Sequence, residues 1–332
     1  MGDTHGQDNR PGLQVIFGTG PVGTATAREL LGRGLPVRMV SRSGRLPARG
    51  LTGDGRIEGR AADALDPAAV AGAAAGATHV YHCMNVPYQD WRRLLGPLQA
   101  NLAAAARAAG AVLACAENLY SYAAGVAAID ETTPEIPPTR KGRLRRELHE
   151  TLVREAERTG LRWTAVRASD YYGPGAGLQS VAFGSVRFLD PLFAGKRPAI
   201  LGAPDLPHTY TYSLDFGRAL ATAALDPAAH GRAWIVPNDR TLTTREVAGM
   251  FFAAAGRDPG LAVLPRVAVV AAGVFDPLVR EVVEMLYQRE KPYVVDGSRC
   301  AERFGFVPTR LEDGVAETVR WYTENRALSR AA

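Results

Sequence analysis

Short apolar runs and longer amphipathic stretches alternate through the first half of this 332-residue chain. Short apolar runs bounded by turn residues are typical of buried strands, whereas apolar residues three or four positions apart are typical of helices. We predict strands at residues 15–17, 37–40, 78–84, 111–116 and 163–167, and helices at 24–31, 94–109 and 143–158. The alternation predicts an α/β fold built on a doubly wound parallel sheet.

The loop between the first strand and the first helix has the sequence Gly18-Thr19-Gly20-Pro21-Val22-Gly23. Gly18 permits a tight turn, Gly20 lets the backbone approach a pyrophosphate, and Gly23 lets the helix pack close to the strand. A glycine-rich surface turn is the alternative. The order of strand, helix and second strand favours a dinucleotide site, and we assign residues 18–23 to it.

The end of the second strand bears on the choice of cofactor. An NAD-preferring site usually carries Asp or Glu about 20 residues past the glycine loop, to hold the ribose 2′-hydroxyl. This chain has Ser41 and Arg42 there and no acid. A hydroxyl and a guanidinium suit a 2′-phosphate, so we predict NADP(H) in preference to NAD(H), with Arg42 as the main determinant. A solvated loop arginine is the alternative.

Further residues are assigned to the same cofactor site. Asp63 lies near the expected adenine position, ahead of a helix that Asp66 and Pro67 are predicted to begin. The remaining assignments are Ala64, Met84, Asn85 and Ala168.

The chain becomes irregular beyond Asp170, where loops rich in proline and glycine separate short apolar segments. We predict a disordered tail at residues 1–12 and a dinucleotide-binding domain at 13–172. Residues 173–332 form mainly a smaller C-terminal substrate lobe. Segments at about 205–240 return to the first domain, because residues 233–236 resemble another strand. Asp215 is a predicted helix cap.

Composition and charge exclude several classes of protein. A hydrophobic fraction of 46% supports a sizeable core, and the net charge of +5 comes from scattered arginines rather than a nucleic-acid-binding stripe. No signal peptide or membrane span is evident, and three distant cysteines fit a reducing cytoplasm. No metal site is predicted, because His79 and His82 point to opposite faces of a strand.

Four segments together resemble the extended and atypical short-chain dehydrogenases/reductases, specifically the NAD-dependent epimerase/dehydratase group. They are the glycine loop, the aromatic turn at 118–122, Arg167 with Tyr172-Gly173-Pro174-Gly175, and Phe304-Gly305-Phe306-Val307-Pro308. The resemblance runs from about residue 13 to residue 322. It implies a Rossmann domain with a C-terminal substrate lobe, nicotinamide chemistry at a carbonyl or alcohol carbon, and a homodimer as a possible assembly.

The resemblance fails at the catalytic positions. The family has a Ser or Thr after the strand and a Tyr four residues before a Lys. Here Asn118 falls on the Ser/Thr position, Lys141 on the Tyr position and Arg145 on the Lys position. We assign all three to catalysis, with Lys141 also contacting the cofactor. Like-charge repulsion and burial are expected to lower the pKa of Lys141, while Asn118 polarises a carbonyl oxygen.

A structural reading of this basic cluster remains open. Arg143 with Glu147, and Arg146 with Glu150, have the i,i+4 spacing of ion pairs on a solvated helix face. Cations at a helix N-terminus oppose its dipole, however, which favours a bound anion nearby.

Aromatic residues supply the other candidates. Tyr120 is the extra hydroxyl of the aromatic turn and the stand-in acid/base, although most tyrosines are packed aromatics. His208 is expected to bind substrate or to be an exposed loop histidine. The remaining substrate-site candidates, each with core packing as the alternative, are Tyr88, Trp91, Tyr122, Tyr171 and Tyr210.

The leading hypothesis is an NADP(H)-dependent oxidoreductase of the epimerase/dehydratase type that acts on a small polar carbonyl or alcohol substrate. One alternative is a redox-neutral epimerase, dehydratase, lyase or cyclase on the same scaffold. Another is a non-catalytic NADP(H)-sensing regulatory protein. A closed pocket around Lys141 would favour the sensor.

Overall fold

The computed structural model describes residues 12–47, 51, 53–177, 180 and 183–325. The tail predicted for residues 1–12 lies outside the described residues, except for Gly12. Within the described ranges, no helix combines the length and the apolar character needed to cross a membrane.

A seven-stranded parallel sheet forms the centre of the molecule. Its strands are β1 (Leu13–Phe17), β2 (Val37–Ser41), β3 (Ile57–Ala61), β4 (Ala77–His82), β5 (Val112–Asn118), β6 (Trp163–Ala168) and β11 (Ala233–Ile235). They lie in the order β11-β6-β5-β4-β1-β2-β3, and every neighbouring pair is parallel. The predicted doubly wound sheet is confirmed, and so is the strand predicted at residues 233–236.

Helices cover both faces of this sheet. One apolar core lies under α2 (Pro67–Ala74), α3 (Trp91–Ala108) and α4 (Arg140–Thr159), and the other lies under α1 (Pro21–Gly32) and α6 (Ser213–Leu225). At Gly217, helix α6 lies unusually close to α1. A Cβ there would lie 2.5 Å from Cβ of Ala25, so only glycine permits this approach of α6 to α1.

Local capping chemistry sets the starts of α2 and α4. Asp66 accepts hydrogen bonds from the backbone N–H groups of residues 68 and 69, as predicted. Thr139 accepts one from Gly142 N at 2.9 Å. Because Thr139 is the N-cap, α4 begins three residues before the predicted start at Arg143.

The predicted capping role of Asp215 is wrong. Tyr212 occupies the N-cap position of α6, and Asp215 lies in the first turn. There its carboxylate accepts hydrogen bonds from the backbone N–H and the hydroxyl of Thr309, at 2.7 and 2.9 Å. Its role is to tie α6 to the start of the last helix.

The C-terminal lobe packs around a third core rich in aromatic residues. Its helices are α5 (Asp190–Phe193), α7 (Thr244–Ala254), α8 (Arg266–Phe275), α9 (Pro277–Val283) and α11 (Leu311–Asn325), whereas α10 (Ser298–Phe304) buries Cys300 in the core under α1 and α6. Its short strands are β7 (Tyr171–Tyr172), β8 (Ala199–Leu201), β9 (Pro207–His208), β10 (Thr211–Tyr212), β12 (Leu242–Thr243) and β13 (Ala262–Leu264). They pair as β10 with β7, β12 with β9, and β13 with β8.

Candidate active site

The glycine loop lies at the carboxyl edge of the sheet, between β1 and α1. Gly18 has a φ of +115°, and a Cβ there would lie 2.7 Å from the carbonyl oxygen of Cys83. A Cβ on Gly23 would lie 2.1 Å from the carbonyl oxygen of Gly18. Gly20 is the N-cap of α1 and makes no side-chain cap hydrogen bond. The first N–H groups of α1 therefore lack a side-chain cap, which is the arrangement that fits a pyrophosphate.

This loop opens at the point where the strand order reverses, between β1 and β4. Open parallel sheets bind ligands outside the carboxyl ends of the strands at such a point. Met84 and Asn85 follow β4 directly, and the backbone N–H of Cys83 bonds to Phe17 O at 2.9 Å. The residues assigned to the cofactor after β1 and after β4 therefore lie next to each other across one crevice. Ala168 lies at the end of β6, further along the same edge of the sheet.

The end of β2 lies next to the glycine loop, because Gly18 N donates to Val40 O at 3.0 Å. Ser41 follows, its hydroxyl accepting a hydrogen bond from Gly44 N at 3.1 Å. Arg42 is exposed, and no described residue forms an ion pair with it. A guanidinium in this position is available to an anionic ligand.

Asp63 and Ala64 follow β3, at the outer end of this edge. Asp63 accepts a hydrogen bond from Leu65 N at 3.0 Å, so it also shapes the turn into α2. Ala64 is buried, and its carbonyl accepts a hydrogen bond from Asn101 at 2.9 Å.

Lys141 lies in the first turn of α4 with its side chain only 5% exposed. It donates hydrogen bonds to Glu281 and Glu284 of the C-terminal lobe, the second at 2.5 Å. Its Nζ lies 5.0 Å from the ring centroid of Tyr88. The sequence predicts that other cations surround Lys141. In the structure its closest charged neighbours are carboxylates instead. No motif in the sequence pointed to Glu281 and Glu284, which lie 140 and 143 residues further along the chain.

Arg145 stands one turn further along α4. Its guanidinium stacks 4.1 Å from the ring centroid of Trp91 and donates a long hydrogen bond, 3.4 Å, to Asn85. Burial lowers the pKa of Arg145. Its Nε is buried and lacks a hydrogen-bond partner among the described residues, so this group retains capacity to bind a ligand.

The aromatic turn after β5 packs against α4. The hydroxyl of Tyr120 bonds to that of Tyr88 at 2.8 Å. Burial, followed by the neighbouring phenol of Tyr88 and the negative charge of Asp170, raises the pKa of Tyr120 well above its ordinary value. These surroundings oppose ionisation, which weakens the case for Tyr120 as the acid/base. Asn118 accepts a hydrogen bond from Tyr120 N at 3.2 Å and thereby shapes this turn.

Tyr122 belongs to a separate buried network. Its hydroxyl accepts a hydrogen bond from Arg167, which also pairs with Glu117 at 2.9 Å and Glu135 at 2.7 Å. His149 contacts the same Glu117 at 3.0 Å. These contacts support the packing role that was the alternative for Tyr122.

His208 is buried, so the expectation of an exposed loop histidine is wrong. Only 2% of the residue is exposed, and Nδ1 donates to the carbonyl of Gln288 at 3.2 Å. Its Nε2 lies 3.3 Å from Asp170, which also pairs with Arg289. Burial and the charge of Arg289 lower the pKa of His208. Burial opposes ionisation of Asp170, but Arg289 and His208 outweigh it and hold the pKa of Asp170 at about 2.

Tyr210 joins this second cluster. Its hydroxyl bonds to Thr244 at 2.6 Å and accepts a hydrogen bond from Arg289 at 2.8 Å. Tyr171 is half-buried in β7, and burial raises the pKa of its hydroxyl. Apart from Tyr122, the predicted substrate residues therefore form two groups, one around Lys141 and one around Asp170.

Two small cavities lie beside these groups, and each cavity has room for about one water molecule. One lies between the two groups and is lined by Tyr120, Asp170, Leu201, Val282, Met285, Leu286, Gln288 and Arg289. Another lies behind Arg145 and is lined by His82, Gln99, Cys115, Ala116, Glu117, Asn118, Ser121, Arg145, Leu148 and Arg167. Neither has space for a substrate larger than water.

Comparison with known proteins gives one family match. A sequence model of the NAD dependent epimerase/dehydratase family matches residues 15–236. A dTDP-glucose 4,6-dehydratase of Streptomyces griseus is 27% identical over 169 residues, which is 51% of this chain and 45% of that protein. The chain thus matches about half the length of this curated relative.

Solved structures share the fold over nearly the whole chain. A dTDP-glucose 4,6-dehydratase from Streptomyces venezuelae with NAD bound has a TM-score of 0.75 at 19% identity, covering 95% of this chain and 98% of that one. A UDP-glucose 4-epimerase from Thermus thermophilus in complex with NAD has a TM-score of 0.73 at 20% identity, covering 94% and 99%. At this identity the likeness concerns the fold.

Proposed function

Because the chain belongs to the NAD dependent epimerase/dehydratase family, a family of enzymes, we propose that it is an NADP(H)-dependent oxidoreductase with a lysine-centred site. Its substrate is a polar carbonyl or alcohol compound. The nicotinamide, when bound, supplies or accepts the hydride.

The cofactor is held at the crevice between β1 and β4. The N–H groups at the start of α1 bind the pyrophosphate, and Ser41 and Arg42 bind the 2′-phosphate of NADP(H). The support for the phosphate is the exposure of Arg42 beside the glycine loop, without an ion-pair partner in the described part of the chain. The related structures named above contain NAD, so the preference for NADP(H) is specific to this proposal.

The hydrogen bonding of Lys141 carries the catalytic part of the proposal. An ammonium group has three N–H donors, and Glu281 and Glu284 accept two of them. The third donor has no acceptor among the described residues, and we assign it to a substrate oxygen. In the reducing direction the carbonyl carbon gains a hydride, the oxygen takes a proton from Nζ, and Lys141 regains a proton from solvent through the partly exposed Glu284. The oxidising direction reverses these transfers.

We propose a nucleotide-linked sugar as the carbonyl or alcohol compound. The support is the dTDP-glucose and UDP-glucose named for the relatives. Burial, followed by the positive charge of Arg289, lowers the pKa of Arg187, so the second cluster is a region of positive charge, and guanidinium groups suit phosphate oxygens.

Replacing Lys141 tests this assignment. Lys141→Met removes the proton donor, and turnover is expected to fall roughly 100-fold or more while NADPH binding changes little. The variant removes the ammonium partner of two half-buried carboxylates, which destabilises the fold, although Arg140 still contacts Glu284. The triple variant Lys141→Met, Glu281→Gln, Glu284→Gln removes those charges and is expected to fold and remain inactive. The measurement is nicotinamide absorbance with a panel of keto and hydroxy nucleotide sugars.

Tyr120→Phe is the matched control. It removes a hydroxyl of the same site whose ionisation is opposed by burial, so turnover is expected to stay within about threefold of wild type. Full activity in a folded Lys141 variant, or loss of activity confined to Tyr120→Phe, would reject the lysine-centred site.

A second candidate is a non-catalytic NADP(H)-sensing protein. The observation that favours it is the closed surroundings of Lys141, where Glu281 and Glu284 cover the ammonium and the adjacent cavities hold about one water molecule. Tight NADPH binding without turnover of any panel compound, in the wild-type protein, would favour the sensor over the enzyme.

A further inference from the structure

The space beside Lys141 is filled by a segment of the C-terminal lobe. Glu281 lies on α9 and Glu284 directly after it, and both accept hydrogen bonds from the ammonium group. Met285 follows and is only 4% exposed, packed in an apolar cluster that includes Tyr120. The end of α9 therefore lies where the aromatic residues assigned to the site meet Lys141.

A substrate cannot reach Lys141 while α9 is in this position. The lysine side chain is only 5% exposed, and the two cavities beside it hold about one water molecule each. Val282 and Met285 form part of the wall of one of them. Movement of α9 away from the sheet enlarges that cavity and uncovers the ammonium group.

The segment that covers the site is fixed at both ends. Before α8, strand β13 pairs with β8. After residue 285, the buried Arg289 pairs with Asp170. Between these two anchors, the core cluster under α8 has only three buried members in the described part of the chain, which are Leu201, Val269 and Leu286. So small a core opposes local opening less than the large cores that cover the sheet do.

Helices α8 and α9 are joined closely enough to move together. A Cβ on Gly273 would lie 3.1 Å from Cα of Arg280. The guanidinium of Arg280 donates from Nε to Gly273 O at 2.9 Å and from Nη2 to Val274 O at 3.1 Å. The two helices thus form one hairpin between the anchors.

We propose that residues 266–285 are a gate over the site and that the ion pairs of Lys141 with Glu281 and Glu284 are its latch. Opening admits the substrate, and closure re-forms the ion pairs on which the proton transfer proposed above depends. The gate rests on the proposed function because it takes Lys141 as the group that binds substrate. Its movement, however, can be measured without any substrate.

The latch is suited to opening because water already reaches its carboxylates. The side chains of Glu281 and Glu284 are 24% and 18% exposed. Partly exposed ion pairs contribute less free energy than fully buried ones, since water replaces the lost partner. The backbone N–H of Arg140 also donates to Glu284, at 3.1 Å, and adds to the latch.

Removing the latch charges tests the gate in the full-length protein. The thiol of Met285→Cys is buried while the gate is closed, so its rate of reaction with iodoacetamide reports opening. Adding Glu281→Gln and Glu284→Gln is expected to raise that rate roughly tenfold. The matched control instead adds Glu150→Gln and Glu155→Gln, two carboxylates that pair with arginines of α4, and is expected to leave the rate unchanged.

The natural thiol of Cys300 serves as an internal control in the same samples. It is 0% exposed in the core under α1 and α6, so its reaction, followed by mass spectrometry, reports unfolding of the whole chain. We expect it to stay slow in every variant. Three outcomes would overturn the gate: faster reaction of both thiols together, an unchanged rate at residue 285 without the latch, or a thiol at residue 285 that reacts like a free cysteine with the latch intact.

Hydrogen exchange tests the gate with the natural residue at position 285. Amides of residues 281–285 are expected to exchange roughly tenfold faster in Glu281→Gln, Glu284→Gln than in wild type, while those of β13 are unchanged. Equal exchange in the two proteins would reject the latch. A gate that opens in a protein without turnover rejects the proposed function alone, and turnover without any effect of the latch rejects the gate alone.

Discussion

The nucleotide end and the α4 end of the same sheet edge differ in what holds them together. At the nucleotide end, backbone geometry dominates: Gly18 and Gly23 leave room for neighbouring carbonyl oxygens, and β1 and β2 are joined by main-chain bonds. At the α4 end, side chains distant in sequence dominate, with Lys141 held by Glu281 and Glu284. The first arrangement follows from local sequence, whereas the second depends on how the C-terminal lobe folds back.

The largest effect is expected from Gly23→Ala at the nucleotide end. Its Cβ would lie 2.1 Å from the carbonyl oxygen of Gly18, and a backbone atom cannot yield as a flexible side chain does. We expect loss of measurable NADPH binding in calorimetric titration, with a lower midpoint of thermal unfolding.

Gly32→Ala is the matched control in the same helix. A Cβ there meets nothing within 4 Å, and alanine favours helix, so stability is expected to stay equal or rise by up to about 1 kcal/mol. Equal damage from both substitutions would show that the loop geometry is not the cause.

The next effect concerns acid stability at the α4 end. Burial, assisted by Arg145, lowers the pKa of His82 to about 4, against about 6.5 in an unfolded chain. On acidification the unfolded state therefore takes up the proton first. His82 is expected to lower the free energy of unfolding by roughly 3 kcal/mol between pH 6.5 and pH 4.

Removing His82 sharpens this prediction. In His82→Asn, urea titrations across that pH range should give a shallower decline than in wild type. The slope is not expected to vanish, because burial also lowers the pKa of His79 to about 4. Parallel curves for the two proteins would contradict the assignment.

The smallest effect is expected from Arg42→Ala, because its guanidinium is exposed. The dissociation constant for NADPH should rise roughly tenfold, which corresponds to about 1.4 kcal/mol, while that for NADH stays unchanged. Arg28→Ala, an exposed arginine of α1, serves as the control. An equal loss for both cofactors would refute a role for Arg42 in phosphate recognition.

The sequence predicted the fold well because its signals are local. The strand periods, the glycine loop and the Asp66 cap each depend on residues close together in the chain, and all of them match the structure. Helix α4 begins before its predicted start because its cap, Thr139, precedes the amphipathic pattern.

The site was less predictable, for physical reasons. The basic residues near Lys141 suggested repulsion, because neighbours in sequence are visible while the glutamates that pair with it lie in another lobe. The polarity of histidine predicts His208 at the surface, yet it lies in the interior, where Gln288 O accepts from Nδ1 and Asp170 lies 3.3 Å from Nε2. Long-range pairing of charged groups leaves no periodic signal along the chain.

The close approach of α6 to α1 also bears on how the protein is made. The helix that begins at the glycine loop completes its packing only against Gly217, and the sheet gains its last strand at residues 233–235. During synthesis, the second layer of the nucleotide-binding half therefore cannot close before residue 235 has emerged. Until then the side of α1 that packs on α6 stays exposed to solvent.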